Sequence, residues 1–309
     1  MSNIARIPTK NMSREEWLWH RRGSLGGSDA AAILGLSQWI TPYTVWADKT
    51  GRLPEQPDNE AMRQGRDFED YVAQRFTEVT GKKVRRNNAI LKNTDYPFAH
   101  ANIDRSIVGE NAGLECKTTS VMNLRKFKNG EYPDTYYCQC VHYMAVTGAD
   151  RWYLAVLVFG QDFYWFCIDR DEAEIEALMA AEKEFWQFID ADTPPPVDGF
   201  KPTTDAINTI YAESITESTP VELFGRENML KRYIALKDEI KVLETEKEAI
   251  EQTIKEDLQK NEYGACSSFE VKWKSQTRNT LDPKALLEDM PELDLSPYYK
   301  TSTFRRFSI

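Results

Sequence analysis

Hydrophobic and polar positions change rhythm along the chain, and the rhythm divides it in two. Up to about residue 190, apolar residues recur at helical spacing in some stretches and at strand spacing in others. Ser13 opens a helix through Trp19, with Glu16 three residues on completing a capping box. Ser28-Asp29 opens a second helix, and a longer one spans about Asn59 to Thr80 and stops at Gly81. Strand patterns follow at Lys83–Leu91, Pro97–Val108 and Gly113–Thr118. A helix over Thr135–Thr147, strands at Arg151–Phe159 and Phe163–Ile168, and a helix over Asp171–Ile189 complete the series. The unbroken apolar run from Trp152 marks a central strand buried on both faces. Strands and helices in this order predict a mixed α/β layer fold.

Beyond it the pattern narrows. Asp192 to Gly199, with three consecutive prolines, reads as a stiff linker. The predicted division is therefore a core over 1–192, a linker over 193–204 and an extension over 205–309. In the extension, Met229, Tyr233, Leu236, Ile240, Leu243, Lys247, Ile250 and Ile254 alternate four and three apart. That is a heptad seam on a helix of about 222–262, with Lys247 the one misfit. Packing of this seam within the chain, against strands at Ser268–Trp273 and Thr303–Ile309, is the expectation; pairing with another subunit or a partner stays open.

Composition narrows the chemistry. The chain has 309 residues, a net charge of −10, five cysteines without a CxxC pair and three scattered histidines. Reduced thiols in a cytoplasm fit this better than disulfides or a structural zinc. No run approaches the roughly 20 apolar residues of a membrane helix, so no membrane partner is expected. Any metal chemistry has to use carboxylates, and therefore hard ions such as Mg²⁺ or Mn²⁺. The acidity, −5 on each side of Pro196, argues against coating of nucleic acid. Basic residues are nevertheless concentrated at 63–92, eight against four acids, and Arg21-Arg22 follows Trp17 and Trp19. Such a mixture suits phosphate contacts and base stacking, or else an ordinary amphipathic helix.

Within this frame one pattern has catalytic content. On a strand Glu115 and Lys117 point the same way while Cys116 points back, and the turn at Gly109–Gly113 brings Asp104 beside Glu115. Two acids and a lysine on one face suit hydrolysis of phosphodiesters with a divalent ion, and equally a cross-strand salt bridge. Glu69 falls on the apolar stripe of Met62, Val72, Phe76 and Val79, where an acid has to be paired or bound to metal. Pairing with Arg66 is its alternative. Gln139 lies beside the apolar face of its helix, either as an ordinary satisfied polar residue or as part of the site.

Taken in order, Trp17-x-x-x-Arg21-x-Gly23-x-x-x-x-Ser28, Gly65-Arg66-x-x-Glu69, Asp104, Glu115-Cys116-Lys117 and Gln139 resemble the YqaJ-type viral recombinases. These are the lambda exonuclease-like family of PD-(D/E)XK nucleases, and the resemblance covers about residues 13–190. It implies an α/β restriction-endonuclease-like core, a central mixed sheet flanked by helices; the C-terminal helical and β-hairpin extension read from this chain lies outside the resemblance and has no equivalent in lambda exonuclease. It implies that Asp104, Glu115 and the Cys116 carbonyl hold Mg²⁺, with Mn²⁺ able to substitute and two ions per site. Glu69 would complete the acidic site, Lys117 would orient or deprotonate water, and Gln139 would steady it. Arg21 and Ser28 match positions that receive a 5′-phosphate, and Trp17 one near the duplex end. Ile103 stands where the motif often has proline, and Glu60 where a relative has lysine, leaving Arg63 or Arg66 for that contact. The implied activity is a 5′→3′ exonuclease on linear double-stranded DNA ends, in a ring of three subunits, delivering 3′ overhangs to a phage single-strand annealing protein. A restriction-like endonuclease and a non-catalytic module binding DNA ends or a partner are the rival readings.

Overall fold

The computed structural model describes residues 3–215, 219–301 and 303–309. Its chain contacts divide into two units, Met1–Ala212 and Glu213–Ile309.

In the first unit, β1 (Ile4–Pro8) precedes α1 (Arg14–Arg22), α2 (Gly27–Ile33), α3 (Pro42–Lys49) and α4 (Glu60–Thr80). Ser13 caps α1 through the predicted capping box with Glu16. Asn59 caps α4, which ends at Gly81 with φ +72°, a left-handed conformation that glycine adopts without strain. Next come β2 (Val84–Arg86), β3 (Ala89–Asn93), β4 (Arg105–Ile107) and β5 (Ala112–Thr119). A 3₁₀ stretch over Val121–Gly130 leads to α5 (Asp134–Thr147), then β6 (Arg151–Val158), β7 (Asp162–Asp169), α6 (Glu172–Asp190) and α7 (Lys201–Ile210).

The main sheet has the order β2-β4-β5-β6-β7, with β5 and β6 parallel and the other pairs antiparallel. This is the mixed sheet flanked by helices that the sequence predicts. Alternation along β6 shows how it is layered. Trp152, Leu154, Val156 and Val158 face the core built with α2, α3, α5 and α6. Tyr153 and Ala155 face the opposite cluster, where α4 contributes Val72, Ala73 and Phe76. The sheet is thus buried on both faces at β6, as its unbroken apolar run requires.

Two predicted strands are cut short. Lys83–Leu91 breaks into β2 and β3, which belong to different sheets, because the second piece pairs with β1 from Ile4↔Asn93 to Pro8↔Ala89. Of Pro97–Val108 only β4 is strand. The amides of Ala99, His100 and Ala101 donate to three separate acceptors, the carbonyls of Tyr96, Leu25 and Leu91. That segment ties two sheets together instead of extending one. The second helix starts one residue ahead of the predicted opening at Ser28, from an N-cap at Gly26, with the Asp29 carboxylate accepting from the Gly26 amide. The helices α3 and α7 and the strand β1 carry no clear pattern in the sequence.

Helix α7 also lies where the Pro-rich reading places linker and extension. Thr203, buried in α7, bonds the Thr41 hydroxyl at the start of α3 at 2.7 Å, so the first unit continues to Ala212.

The second unit holds α8 (Glu227–Leu258), a hairpin of β8 (Tyr263–Ala265) and β9 (Glu270–Lys272), and α9 (Pro283–Asp289). The predicted strand at Ser268–Trp273 contributes β9 to this hairpin, while 303–309, the other predicted strand, is irregular. The heptad seam is helical as predicted but is not packed away: its apolar residues are 36–63% exposed. Only Tyr233 meets the C-terminal segment among the seam residues whose ring contacts are described, with the Phe307 ring edge-on at 5.6 Å. No helix among the described residues is long and apolar enough to cross a membrane.

Gly113 on β5 makes the sheet's tightest demand. A Cβ there would sit 2.2 Å from the Trp152 ring of β6. Gly113→Ala should therefore lower stability by about 1–3 kcal/mol, as overpacking of a filled core does, read as a shift in denaturant midpoint at unchanged m.

Candidate active site

β5 carries the centre of the site. Its pleat turns Glu115 and Lys117 to one side and Cys116 to the other, where it packs against the α4 cluster. β4 runs antiparallel to β5 with Arg105 opposite Leu114, and one step further along lies Asp104. The Cys116 amide donates to Asp104 Oδ2 at 2.7 Å, which fixes that carboxyl against β5. Lys117 Nζ stands 2.6 Å from Glu115 Oε1 and donates to Gln139 Oε1 at 2.8 Å. Gln139 Nε2 in turn donates to Glu115 Oε1 and to the Tyr143 hydroxyl, both at 2.8 Å. Asp104, Glu115, Lys117 and Gln139 are thus brought together, and the glutamine is part of the network.

Burial makes this group electrostatically tense. Burial first, then the charges of Glu115 and Glu69, push the Asp104 carboxyl well above the ordinary carboxylate range. Burial alone would lower the Lys117 ammonium, but the Glu115 charge and hydrogen bond and the Asp104 charge outweigh it and hold it protonated. Glu115 is 3% exposed, and its Oε2 has no hydrogen-bond partner. An orphaned oxygen and a carboxyl unwilling to ionise, side by side, are donors for a hard divalent cation. The residues fit such an ion, although among the described residues no three His, Cys, Asp or Glu side chains form a ready-made metal cluster.

Glu69 explains that gap. The sequence reading makes it a third acid of the site or a partner of Arg66; it is bonded by Arg105 and not by Arg66, and its charge still reaches Asp104. The buried Arg105 guanidinium donates to Glu69 Oε1 at 2.5 Å, to the Asp104 carbonyl at 2.7 Å and to Asp70 at 2.6 Å. Arg105 follows Asp104 directly, so one buried cation clamps α4 onto β4 just behind the metal-fitting acids. Arg66 pairs with Asp58 at the exposed end of α4, and Arg63 with Asp67.

A pocket of about 150 Å³ opens beside the carboxylates, and Gln139 and Tyr143 line it together with Trp17, Arg21, Ser28 and Asn102. The three residues expected at a 5′-phosphate therefore share one cavity, while Arg66 is outside it. The Trp17 ring is flanked by the Arg14 and Arg21 guanidiniums at 4.6 and 5.4 Å. Trp19, on the same helix, is exposed.

What sets the pocket's shape lies deeper and escapes the sequence reading. Lys49 is buried at the end of α3, 2.7 Å from Asp29, and donates to the Arg21 carbonyl at 2.9 Å. Burial would raise the Asp29 carboxyl, but the Lys49 charge and hydrogen bond hold it below the ordinary range. Gly26 and Gly27 begin α2 hard against its neighbours. A Cβ at Gly26 would lie 3.1 Å from the His100 ring, and one at Gly27 would lie 2.7 Å from Tyr143. His100 Nδ1 meets the Ser24 hydroxyl at 3.0 Å. Its carbonyl accepts from His142 Nε2 at 2.8 Å, and His142 Nδ1 meets Glu182 at 2.8 Å in a fully buried pair. The run Gly26-Gly27-Ser28-Asp29 is the signal that was available; Lys49 and Arg105 gave none, because their partners are distant in sequence.

A mixed sheet with this layering, Glu115 and Lys117 on one strand and Asp104 just ahead of its antiparallel neighbour, defines a PD-(D/E)XK-like fold. An alkaline exonuclease from Laribacter hongkongensis shares the fold at a TM-score of 0.51, with 21% identity, 58% of this chain and 93% of that one. The complex of that exonuclease with dAMP superposes at 0.50 with 20% identity, over 58% of this chain and 93% of that one. Residues 16–150 match the model of the YqaJ-like viral recombinase domain. The YqaJ protein of Bacillus subtilis (strain 168) is 38% identical over 314 residues, spanning 100% of this chain and 98% of that protein. The chain belongs to the YqaJ family of viral recombinases.

Two consequences of the buried network can be measured. Replacing Lys49 by Met leaves Asp29 charged and unpaired in the interior, which should cost about 3–5 kcal/mol in chemical denaturation. His100 is held at about 3 by burial, assisted by the Lys49 charge, far below its ordinary 6.5. The unfolded chain thus binds a proton that the folded one refuses, and stability is lost as pH falls from about 6.5 towards 3. In His100→Gln that loss should become shallower by up to about 1.4 kcal/mol per pH unit, seen in denaturation midpoints across the range.

Proposed function

We propose that this chain is a divalent-cation-dependent 5′→3′ exonuclease that degrades linear double-stranded DNA from its ends. It would release 5′-mononucleotides and leave 3′ single-stranded overhangs for recombination by strand annealing. The observation that carries the proposal is the junction at Gln139, which belongs both to the carboxylate–lysine group and to the wall of the Trp17–Arg21–Ser28 pocket. A cleavage site adjoining a small pocket of about 150 Å³, lined by Trp17, Arg21 and Ser28, suits a strand end received there. Crystallisation of the fold relative with dAMP supports a nucleotide as product.

Asp104, Glu115 and the Cys116 carbonyl are the groups that would hold Mg²⁺ or Mn²⁺, a pair of ions being the family expectation, with Glu69 held back by Arg105. When bound, the metal supplies charge to the scissile phosphate and acidity to a water. The chain's own residues do the rest. Arg21 and the Ser28 hydroxyl receive the terminal phosphate, and Trp17 stacks on the first base. Lys117, held protonated chiefly by the charge and hydrogen bond of Glu115, would give up its proton more readily if a bound cation drew on that charge. Gln139 holds Lys117 and Glu115 in register. A ring of three copies, a single-strand annealing protein as partner and the cytoplasm of a phage-bearing bacterium belong to the same proposal.

The test uses linear duplexes with and without a 5′-phosphate, and a supercoiled plasmid, in Mg²⁺ and in EDTA. Mononucleotides should appear from linear DNA only, in Mg²⁺ only, and faster with the 5′-phosphate. Arg21→Ala should erase that preference. Lys117→Ala should lower release by at least about 10²-fold while duplex ends remain bound. Cutting of the closed circle would support a restriction-like endonuclease instead, and end binding without hydrolysis by the unaltered protein a non-catalytic module.

A further inference from the structure

The seam on α8 is a continuous apolar stripe, from Met229 to Ile254 about 38 Å long at helical rise, that the chain leaves exposed. Tyr233, Ile240, Lys247 and Ile254 occupy a positions, with Met229, Leu236, Leu243 and Ile250 at d. We infer that α8 pairs with α8 of a second copy of this chain, and that the two helices run antiparallel.

Charge decides both points. In a parallel pair each g side chain faces the following e of its partner. Those pairs would be Arg232 with Lys237, Glu239 with Glu244, and Glu246 with Glu251, and every one is of like charge. Lys247, at an a position, would also meet its own copy in the core. A parallel pair is thereby excluded.

Reversing one helix reduces the conflict. Ile240 then lies opposite Leu243, Met229 opposite Ile254 and Tyr233 opposite Ile250. Lys247 faces Leu236, along which its apolar stem can lie with the ammonium reaching water. Lys237 meets Glu244 of the other copy twice, by symmetry. By the same symmetry Glu239 meets Glu246 twice, a repulsion blunted because Arg232 bonds Glu239 at 2.6 Å on the same helix. The N-terminal half of the helix, which carries Arg232 and Lys237, is thus laid on the Glu-rich half of its partner. The helix dipoles oppose as well, which is favourable.

The pairing does not rest on the nuclease reading. It doubles whatever assembly the rest of the chain forms: two copies if the core is monomeric, six as paired rings if three cores close a ring. The experiment compares the solution mass of the full chain with that of Leu236→Glu/Leu243→Glu, changes on exposed positions that leave the first unit intact. The expected result is a twofold drop, from six to three or from two to one, with Mg²⁺-dependent activity on linear DNA read separately. An unchanged mass overturns the inference, whether the seam then covers the chain's own core or takes a helix of another protein. Orientation is read by oxidation, with the exposed Cys167 and Cys266 replaced by Ser. Met229→Cys mixed with Ile254→Cys should cross-link and neither should link to itself. Self-linking of Met229→Cys would mean a parallel pair and overturn the assignment.

Discussion

Two carboxyl groups, Asp104 and Glu115, buried side by side, impose the constraint from which the rest of the core follows. Like charges in a dry site repel strongly, so the protein has to surround them with compensation. It does so asymmetrically. On one flank the Cys116 amide and Lys117 bond the acids, and on the other Arg105 takes up the charge of Glu69 and Asp70. What is left uncompensated is small and local: one orphaned oxygen on Glu115 and one carboxyl pushed upward in pKa. That is the spot at which the proposed cation would bind.

A second layer of buried charge does related work out of sight. Lys49 pairs with Asp29, which lines the pocket, and His142 pairs with Glu182 deeper in the core. They fix the ends of α1 and α2 through backbone groups, the Arg21 carbonyl and the Gly26 amide. Arg21 and Ser28 are therefore aimed by helices whose ends are pinned, which suits a site where small displacements are costly.

Sequence logic was strongest where the constraint is local. The pleat of β5 separates Glu115 and Lys117 from Cys116, and the turn before it brings Asp104 alongside; both follow from strand periodicity and a glycine-bounded turn. Helix ends at Ser13 and Gly81 were equally legible, because caps are made by neighbours in sequence. Glu69 shows the limit. That an acid on an apolar stripe needs a partner was right, but the partner is Arg105, 36 residues away, and nothing in the local pattern distinguishes it from Arg66. The short strands failed for the same reason: β1 and β3 exist because they find each other, and the 97–103 segment is held by three separate partners. In the second unit the heptad spacing correctly gave a helix, while burial of its seam depended on a surface that periodicity alone cannot name.

The parallel pairing of β5 with β6 has a consequence for how this protein can change over time. A parallel neighbour cannot be reached by a tight turn, so the chain between them must travel the length of the sheet and back, and it does so through the 3₁₀ stretch and α5. An insertion or deletion in the irregular part of that crossover, before Asp134, can be taken up without moving Gln139. A single residue gained within β5 would turn Glu115 and Lys117 toward α4 and Cys116 toward the pocket. The family can therefore vary freely in the length of its crossover and hardly at all in the length of one strand, so length variation among its members should map the reaction centre as a silence.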